Sequence, residues 1–213
     1  MLRPSLAQAG RAARGAGARL SFGLTLEADV GMMTAILMQN RLQTSDLETL
    51  GYHGTSQAVA KEIEQTSFKL SAPDSGAFLG EGVYFFDNQP SQAKRWARTR
   101  REFIGKPIAV IESRIRYGRL LNLTENEHKD LLNWFAGEFR RRSGTENASL
   151  AAIIDIAAEK LNVEVVKAVR IPGNAGFLMG TSFSADIEVI LAVRNLTNIL
   201  SKAIIWSQLN KPV

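Results

Sequence analysis

Cysteine is absent from this 213-residue sequence, and histidine occurs only at His53 and His128. Without cysteine the chain has no disulfide framework, no thiolate zinc site and no cysteine nucleophile. Two histidines are too few for a histidine-rich metal site, so a metalloenzyme would have to rely on carboxylate ligands. We therefore expect a function that requires no metal.

Long hydrophobic runs are also missing. No stretch of about 18 apolar residues predicts a membrane-spanning helix. The most apolar stretch, 31–38, is short, follows the acidic residues Glu27 and Asp29, and lacks a small-residue cleavage site. This pattern disfavours a secretory signal. We expect no membrane partner.

Acidic residues are missing from the first 24 positions, which carry four arginines. This composition is typical of a mitochondrial presequence or of a disordered basic tail. We favour a leader without function, or an upstream start codon, because Met32 and Met33 are alternative starts. Residues 1–45 are thus expected to form a disordered or targeting tail, and 46–213 a single domain. For that domain, 45% hydrophobic residues are enough to build a core.

The formal net charge is +5, and four of these charges lie in the first 24 residues, which leaves the remainder close to neutral. This balance does not by itself identify a nucleic-acid binder. Basic residues concentrate at 94–101 and at 140–142. The second cluster is expected at a helix C-terminus, where cations meet the negative end of the helix dipole. For the first we favour a solvated helix face over a surface that faces pyrophosphate or an acidic partner.

The segment 51–97 contains the most informative pattern. Gly54 directly follows His53, and a residue without a Cβ lets a planar ligand group approach the main chain. Three glycines then precede the apolar run 83–86, which favours a turn with positive φ or a close backbone approach, followed by a strand. These glycines are Gly76, Gly80 and Gly82. Singly, a histidine beside a strand favours ordinary hydrogen-bonded structure, and the apolar run favours core. Together they predict two halves of one pocket for a nucleotide with a flat ring.

Two short motifs in this segment resemble the ADP-ribosyltransferase superfamily, in the His-Tyr-Glu branch that includes the poly(ADP-ribose) polymerases and the diphtheria-toxin type. The first is Tyr52-His53-Gly54-Thr55, and the second runs from Leu79 through Tyr84 to Phe85, with a helix expected at 93–97. The resemblance extends from Gly51 to the C-terminus. It implies an α+β fold of split, mainly antiparallel sheets with flanking helices around an NAD cleft.

The resemblance also implies roles for individual residues. His53 would bond the adenosine ribose, Gly54 would bond the nicotinamide carboxamide through its backbone, and Tyr84 would stack on nicotinamide. Trp96 would form a second wall, where the polymerases have tyrosine. The remaining residues expected to bind NAD are Thr55 and Gly82. NAD is then a substrate, and no metal takes part.

A third motif of the family, an acid at the start of a late strand, is expected at 186–188. Alternation along a strand places Asp186 and Glu188 on one face. We expect Glu188 to be the catalytic acid, which stabilises the oxocarbenium-like ribose, with Asp186 as the alternative acid. An acid at a strand edge also protects that edge from pairing, so the motif has a purely structural interpretation too.

The remaining pattern predicts the rest of the domain. Residues 107–117 alternate as a half-exposed strand that Gly118 ends. Thr124 to Glu127 is typical of a capping box before an amphipathic helix ending at Ser143-Gly144. A second amphipathic helix is expected over 150–161, and His128 on the first helix is expected at the surface. Strands are expected at three places in the last third of the chain: 163–171, 187–193 and 204–206.

We expect transfer of one ADP-ribose from NAD to an unidentified protein or nucleic-acid acceptor, as in toxins, effectors or defence proteins. An antitoxin or immunity protein is then a possible partner, and the location is cytoplasmic, with a mitochondrial protein or a delivered effector as alternatives. An NAD glycohydrolase on the same fold, or a non-catalytic module that binds NAD or ADP-ribose, are the other interpretations. An RNA 2′-phosphotransferase is disfavoured because it requires several arginines and histidines at the pocket.

Overall fold

The computed structural model describes residues 42, 44–71, 77–144, 148–171 and 187–210. Its elements alternate irregularly between strands and helices, and the fold is α+β, as expected. The strands are β1 (Thr44–Ser56), β2 (Val83–Asp87), β3 (Pro107–Asn122), β4 (Val165–Arg170), β5 (Glu188–Val193) and β6 (Ile199–Leu209). The helices of the described residues are α1 (Gln57–Gln65), α2 (Pro90–Thr99), α3 (Asn126–Ser143) and α4 (Leu150–Leu161), with short 3-10 turns at Arg101–Phe103 and Leu196–Asn198.

The six strands form one sheet in the order β1-β2-β5-β4-β3-β6, and β1 pairs with β3 as well. Five strands therefore close a ring of pairings, and β6 adds to the outside of β3. Among the strands of the described residues, only β3 and β4 pair in parallel, and the other pairings are antiparallel. The expectation of a mainly antiparallel sheet is confirmed.

Apolar residues on the two faces of the sheet build two cores. On one face Val110 and Ile190 pack with α2, α3 and α4. On the other face Phe85 and Ile111 pack with α1. Successive residues of β3 and β5 contribute to opposite cores, as the two-residue period of a strand requires. The sheet is therefore covered on both sides, and α3 and α4 form the helical cover predicted from their apolar spacing.

A buried carboxylate holds one end of the β1–β2 pair. Asp87 is 7% exposed. Its Oδ1 accepts a hydrogen bond from Thr49 Oγ1 at 2.5 Å, and its Oδ2 lies 2.7 Å from Lys167 Nζ. Burial lowers the pKa of Lys167, but the Asp87 carboxylate outweighs it and leaves that pKa above its ordinary value. The ion pair joins β2 to β4, and the hydrogen bond from Thr49 joins β1 to β2, at this end of the sheet.

The prediction that Gly118 ends the third strand is wrong. Strand β3 continues to Asn122. Gly118 has φ +57°, and a Cβ there would lie 2.0 Å from Glu164 Oε2. The same carboxylate accepts a hydrogen bond from the backbone N–H of Arg119 at 2.9 Å. A side chain distant in sequence thus holds the glycine's conformation and lets the strand continue.

Two expectations at the start of α3 are also wrong. The helix begins at Asn126, and Glu125 precedes it without a side-chain cap, so the capping box does not form. His128 is 8% exposed rather than at the surface. Its Nδ1 accepts a hydrogen bond from the backbone N–H of Asn122 at 2.9 Å. The histidine thereby satisfies the main chain where β3 ends.

The C-terminal end of α3 agrees with expectation. Gly144 ends the helix in the left-handed conformation, with φ 64°. Arg141 and Arg142 in the last turn both contact Glu138, at 2.5 and 3.3 Å. The basic cluster at 140–142 is thus part of the helix end. None of the helices in the described ranges is long and apolar enough to cross a membrane.

The start of the described chain is packed into the domain. Strand β1 begins at Thr44, which pairs with Arg119. Leu42 is only 2% exposed and belongs to the core under α3 and α4. The other residues of the expected N-terminal tail, 1–41 and 43, lie outside the described residues.

Candidate functional site

The site lies where β1 and β2 separate. These two strands pair only at Gly51 with Asp87 and at Tyr52 with Phe86. Beyond that point β1 continues to pair with β3 as far as Ser56, whereas β2 pairs with β5. The main-chain edge of β1 after Tyr52 is therefore open toward β2. Both sequence motifs lie at this opening.

His53 bridges the gap between the two strands. Its Nδ1 lies 2.8 Å from the carbonyl oxygen of Tyr84. A carbonyl only accepts, so Nδ1 carries the proton and Nε2 is the acceptor of the neutral ring. The ring is half-buried and makes edge contacts with Phe68 and Phe85, at centroid distances of 5.6 and 5.9 Å. Burial lowers the pKa of His53, and the hydrogen bond to Tyr84 opposes this only in part.

Gly54 places a main-chain donor and acceptor at the open edge. The carbonyl of Leu50 accepts from Asn88 N at 2.8 Å, so the main chain of Leu50 faces β2. Peptide groups of alternate residues point to the same side of an antiparallel strand. The N–H and C=O of Gly54 therefore face the opening. A planar carboxamide, which carries one donor group and one acceptor, matches this pair.

The lack of a side chain at Gly54 has a packing reason as well. A Cβ at this position would lie 2.2 Å from the carbonyl oxygen of Ala93 in α2. Ala93 and Ala97 are both fully buried where α2 crosses β1. The glycine thus allows backbone-to-backbone contact between helix and strand. Ala93 is a helix-packing residue in this structure.

Tyr84 forms one wall of the opening and is held by the preceding loop. Its hydroxyl donates to the carbonyl of Gly80 and accepts from Leu79 N, both at 2.8 Å. Burial raises the pKa of Tyr84 to about 12, although the hydrogen bond from Leu79 opposes the shift. The phenol therefore stays protonated at neutral pH. Phe78 packs against its ring at a centroid distance of 5.8 Å.

The loop that holds Tyr84 is itself fixed by α4. Asp155 Oδ1 accepts from Glu81 N at 2.8 Å. It also accepts from Arg194 Nη1 at 2.6 Å, and that arginine donates to the carbonyl of Glu81 at 2.8 Å. Gly80 has φ +76°, and a Cβ there would meet Asp155 Oδ1 at 2.1 Å. Asp155 and Arg194 were not identified from the sequence, because their partners are main-chain groups up to 113 residues away.

A cavity of about 560 Å³ occupies the opening between β1 and β2. Its volume lies within the range of small-molecule sites, about 300–1,000 Å³. Of the expected site residues it brings together His53, Gly54, Gly82, Tyr84 and Trp96. The helix α1 side of the cavity is lined by residues that the sequence did not indicate: Val59, Glu62, Ile63, Ser67, Phe68 and Lys69.

Two arginines contact the ring of Trp96, on the α2 side of the cavity. The guanidinium of Arg100 lies 4.9 Å from the indole centroid, and that of Arg170 lies 5.4 Å from it. Arg170 also lies 5.4 Å from the ring of Phe78. Both arginines line the cavity. Each is also ion-paired, Arg170 with Glu188 and Arg100 with Glu102, and their guanidinium groups are of the kind that binds the phosphates of a nucleotide.

Glu188 begins β5 and is buried beside the cavity, not among its lining residues. It is 5% exposed, and the strand register places it on the same sheet face as Ile190 and Tyr84. Its Oε2 lies 2.5 Å from Arg170 Nη2, and its Oε1 lies 3.3 Å from Arg95 Nη2. Each carboxylate oxygen thus contacts a guanidinium, and one of those arginines lines the cavity.

The remaining expected site residues are placed as follows. Thr55 is 5% exposed and pairs with Ala109 of β3, so it supports β1 without lining the cavity. Gly82 lines the cavity, and a Cβ there would meet Ala192 at 3.2 Å. Asp186, the alternative acid, and Gly76 lie outside the described residues.

Comparisons with known proteins do not assign a family. No protein-family model and no curated protein sequence matches the chain. Among solved structures, one that it resembles is a chain of the M. tuberculosis MbcT-MbcA toxin-antitoxin complex. The identity is 13% and the TM-score 0.40, and the match covers 82% of this chain and 90% of that chain. A likeness this distant has no bearing on the activity of this protein.

Proposed function

We propose that this protein cleaves NAD at the bond between nicotinamide and ribose, and transfers a single ADP-ribose to a macromolecular acceptor. The observation that carries the proposal is the opening between β1 and β2. It presents the Gly54 main-chain pair, the His53 ring and the Tyr84 ring to one cavity. These groups offer a carboxamide partner, a hydroxyl partner and a flat apolar wall, which are the three requirements of a nicotinamide nucleoside.

Each group has a distinct role in the proposal. Gly54 binds the carboxamide with its N–H and C=O, and Tyr84 packs against the nicotinamide ring. The free Nε2 of His53 accepts a hydrogen bond from a ribose hydroxyl. Arg100 and Arg170 bind the pyrophosphate, since guanidinium groups pair well with phosphate oxygens. NAD is the substrate, and the chemistry proposed uses only side chains and main chain of the protein.

Glu188 supplies the negative charge in this proposal. Cleavage of the glycosidic bond builds positive charge on the ribose, and a fixed carboxylate in a partly dry site stabilises that charge. Because both oxygens of Glu188 contact arginines, turnover requires the carboxylate to exchange one of these contacts for the ribose. Arg170 is the contact to be exchanged, because it already lines the cavity where the pyrophosphate would bind.

The arginine contacts of Glu188 also favour a second function, binding of NAD or ADP-ribose without turnover. In that case Arg170 stays on Glu188, and the carboxylate is a structural ion pair. The two functions differ in nicotinamide release. A glycohydrolase differs from the transferase only in the acceptor, which is then water.

The test is incubation of the purified protein with NAD labelled in its adenylate part, alone and in a cell lysate. Label on protein or nucleic acid shows transfer, label only in free ADP-ribose shows hydrolysis, and NAD bound but unchanged shows the binding module. Glu188→Gln should lower turnover by about 10²–10³-fold, as loss of a main electrostatic stabiliser does, with little change in NAD affinity. His53→Ala and Tyr84→Ala should act largely on KM.

Glu138→Gln is the matched control, since Glu138 also contacts two arginines but belongs to α3. It should leave turnover unchanged. If Glu188→Gln keeps the parent's activity and Asp186→Asn loses it, the acid is Asp186. Full activity in both variants would remove the catalytic assignment.

A further inference from the structure

We propose that the exposed side of α2, together with the adjoining edge of β6, binds single-stranded nucleic acid. Binding of nucleic acid at this surface does not depend on the proposed function. The additional proposal, that the nucleic acid is the acceptor of ADP-ribose, rests on the proposed function. The surface is defined here by Lys94, Arg98, Arg100 and Trp206, and is called the α2 surface.

Charge is the first observation. Between positions 88 and 101 the chain has five cationic residues and no acid. The helix N-terminal to Arg100 is fixed to β1 through Ala93 and Ala97, which are fully buried. Lys94 and Arg98 project from one flank of the helix toward Trp206, whereas Arg95 reaches the buried Glu188 at 3.3 Å. Arg98 and Arg100 are exposed, and the acid nearest in sequence, Glu102, pairs with Arg100 at 2.9 Å.

The cations alternate with aromatic rings, which is the second observation. On one flank of α2, Lys94 Nζ and the Arg98 guanidinium lie 5.4 and 5.3 Å from the indole centroid of Trp206. On the other flank, Arg100 lies 4.9 Å from the indole of Trp96. Both indoles are partly exposed. Two indoles, each in contact with cationic side chains, thus lie on either side of one helix.

This alternation distinguishes nucleic acid from an acidic protein segment. Phosphates need only the cations, but unpaired bases also stack on aromatic rings and on guanidinium planes. A duplex keeps its bases covered, so the indoles favour a single strand. An acidic peptide would use the cations but would make no use of the exposed parts of the two indoles.

The position of the α2 surface relates it to the cavity. Arg100 belongs to the α2 surface and also lines the cavity, as does Trp96, whose ring it contacts. A strand that follows the helix from Trp206 toward Trp96 therefore reaches the place where Arg170 and Glu188 lie. In the proposed reaction the bond between ribose C1′ and nicotinamide breaks at this place and nicotinamide leaves. A base nitrogen or a terminal phosphate oxygen of the bound strand forms the new bond to C1′, and any proton on that nucleophile passes to solvent.

The test is fluorescence anisotropy of a labelled oligothymidylate of about 12 nucleotides, a length within the site sizes of single-strand binders. The full chain is titrated without NAD at several salt concentrations. Lys94→Ala with Arg98→Ala should weaken binding about tenfold and reduce the salt slope by about 1.4, the value for two lost phosphate contacts on a single strand. Arg140→Ala with Arg142→Ala removes the same charge from the end of α3 and should change little.

Variants of Trp206 distinguish the contribution of base stacking from that of charge. Trp206→Ala should weaken binding by about 5- to 100-fold without changing the salt slope, since base stacking does not release counterions. Trp206→Phe should restore part of the loss, which shows that the effect is not unfolding. Thermal melting of each variant confirms that the fold is kept.

Three results would overturn the proposal. Equal losses in the α2 and α3 double variants would show that only total charge matters. A duplex that binds as tightly as the single strand would remove the role of the indoles. Competition by polyglutamate as effective per charge as the oligonucleotide would favour an acidic protein partner. Oligonucleotide binding without NAD turnover would refute the proposed function alone, and transfer of label to protein without oligonucleotide binding would refute the α2 surface alone.

Discussion

The imidazole of His53 occupies the place of a missing main-chain hydrogen bond, with its Nδ1 2.8 Å from the carbonyl oxygen of Tyr84. If β1 and β2 stayed paired beyond Tyr52 and Phe86, that carbonyl would accept from Gly54 N, two residues further along each strand. The side chain satisfies the carbonyl instead. One ring thus allows two strands to part without a buried unpaired acceptor, and it leaves the main chain of Gly54 for a ligand.

Acid should destabilise the fold through His53. Burial lowers its pKa below the ordinary value of 6.5, so between the two values the unfolded chain binds more protons than the folded chain. The free energy of unfolding then falls as pH drops below about 6.5, by at most about 2 kcal/mol at pH 5, and above pH 6.5 this histidine contributes no pH dependence. Urea unfolding at pH 7.5 and 5.0 measures the effect.

His53→Gln is the informative variant, because its amide still donates to Tyr84 but does not titrate. Its free energy of unfolding should fall less between pH 7.5 and 5.0 than that of the parent. The same measurement on His128→Gln gives the contribution of the other histidine. Parallel pH profiles for the parent and His53→Gln would contradict the assignment.

Asp155 should act on NAD binding from outside the cavity. Asp155→Ala removes the acceptor shared by Glu81 N and Arg194 Nη1, so the loop that carries Leu79 and Gly80 loses its attachment to α4. We expect a loss of about 1–3 kcal/mol of stability and a KM for NAD raised about tenfold with kcat little changed. Steady-state kinetics and thermal melting measure the two effects.

Glu159→Ala is the control for the Asp155 variant, since Glu159 lies one turn further along α4 and is exposed. Hydrogen exchange at Leu79 N, which bonds Tyr84, distinguishes a loosened loop from general destabilisation. Exchange there should accelerate more than in β3. Unchanged exchange with a raised KM would show that Asp155 acts in another way.

Removal of residues 1–41 should leave the domain folded and able to bind NAD. Removal of residues 1–45, the tail expected from sequence, also deletes Leu42, which is 2% exposed. Loss of a buried leucine costs about 2–5 kcal/mol, so the longer deletion should melt at a clearly lower temperature. A thermal melt of both truncations, with and without NAD, makes the comparison. Loss of the cooperative transition in the shorter deletion would place part of 1–41 inside the domain.

The product of transfer should carry one ADP-ribose per site. Elongation requires a second pocket for the growing polymer, and the sequence between Gly176 and Glu188 has no insertion of the length that the polymerases place before their last motif. Gel electrophoresis of labelled product should show discrete bands. A ladder of heterogeneous high-mass product would refute this prediction.

Elements with a regular apolar period were predictable from the sequence. Helix α4 follows its apolar spacing from Leu150 to Leu161, and β5 begins at Glu188, one residue from its expected start. The predictions for Gly118 and His128 are wrong because groups distant in sequence determine the environment of both residues. The carboxylate of Glu164 accepts a hydrogen bond from Arg119 N, directly after Gly118, and Asn122 N at the end of β3 donates to His128. Local patterns contain neither contact.

The residues of the candidate site also fall into two groups, those that the sequence predicts and those that it does not. His53, Gly54 and Tyr84 come from short motifs and meet in one cavity. Arg170 and Arg194 give no signal in the sequence, since a single arginine at a strand end is ordinary. Arg170 meets Glu188 only when β4 and β5 pair, and Arg194 meets Asp155 only when α4 packs on the sheet. Residues that complete a site through the sheet register are thus the ones that a reading of motifs leaves out.

The contact between Gly54 and Ala93 has a consequence for how variation at this position is to be understood. With only 2.2 Å between a Cβ at Gly54 and the Ala93 carbonyl oxygen, any larger residue would force α2 away from β1. Selection for the fold alone would therefore keep glycine here, in a protein with an empty cavity as well as in one that binds a nucleotide. In a library of substitutions at Gly54, variants should fail a folding assay as often as they fail an activity assay. At Tyr84, more variants should fail the activity assay than the folding assay.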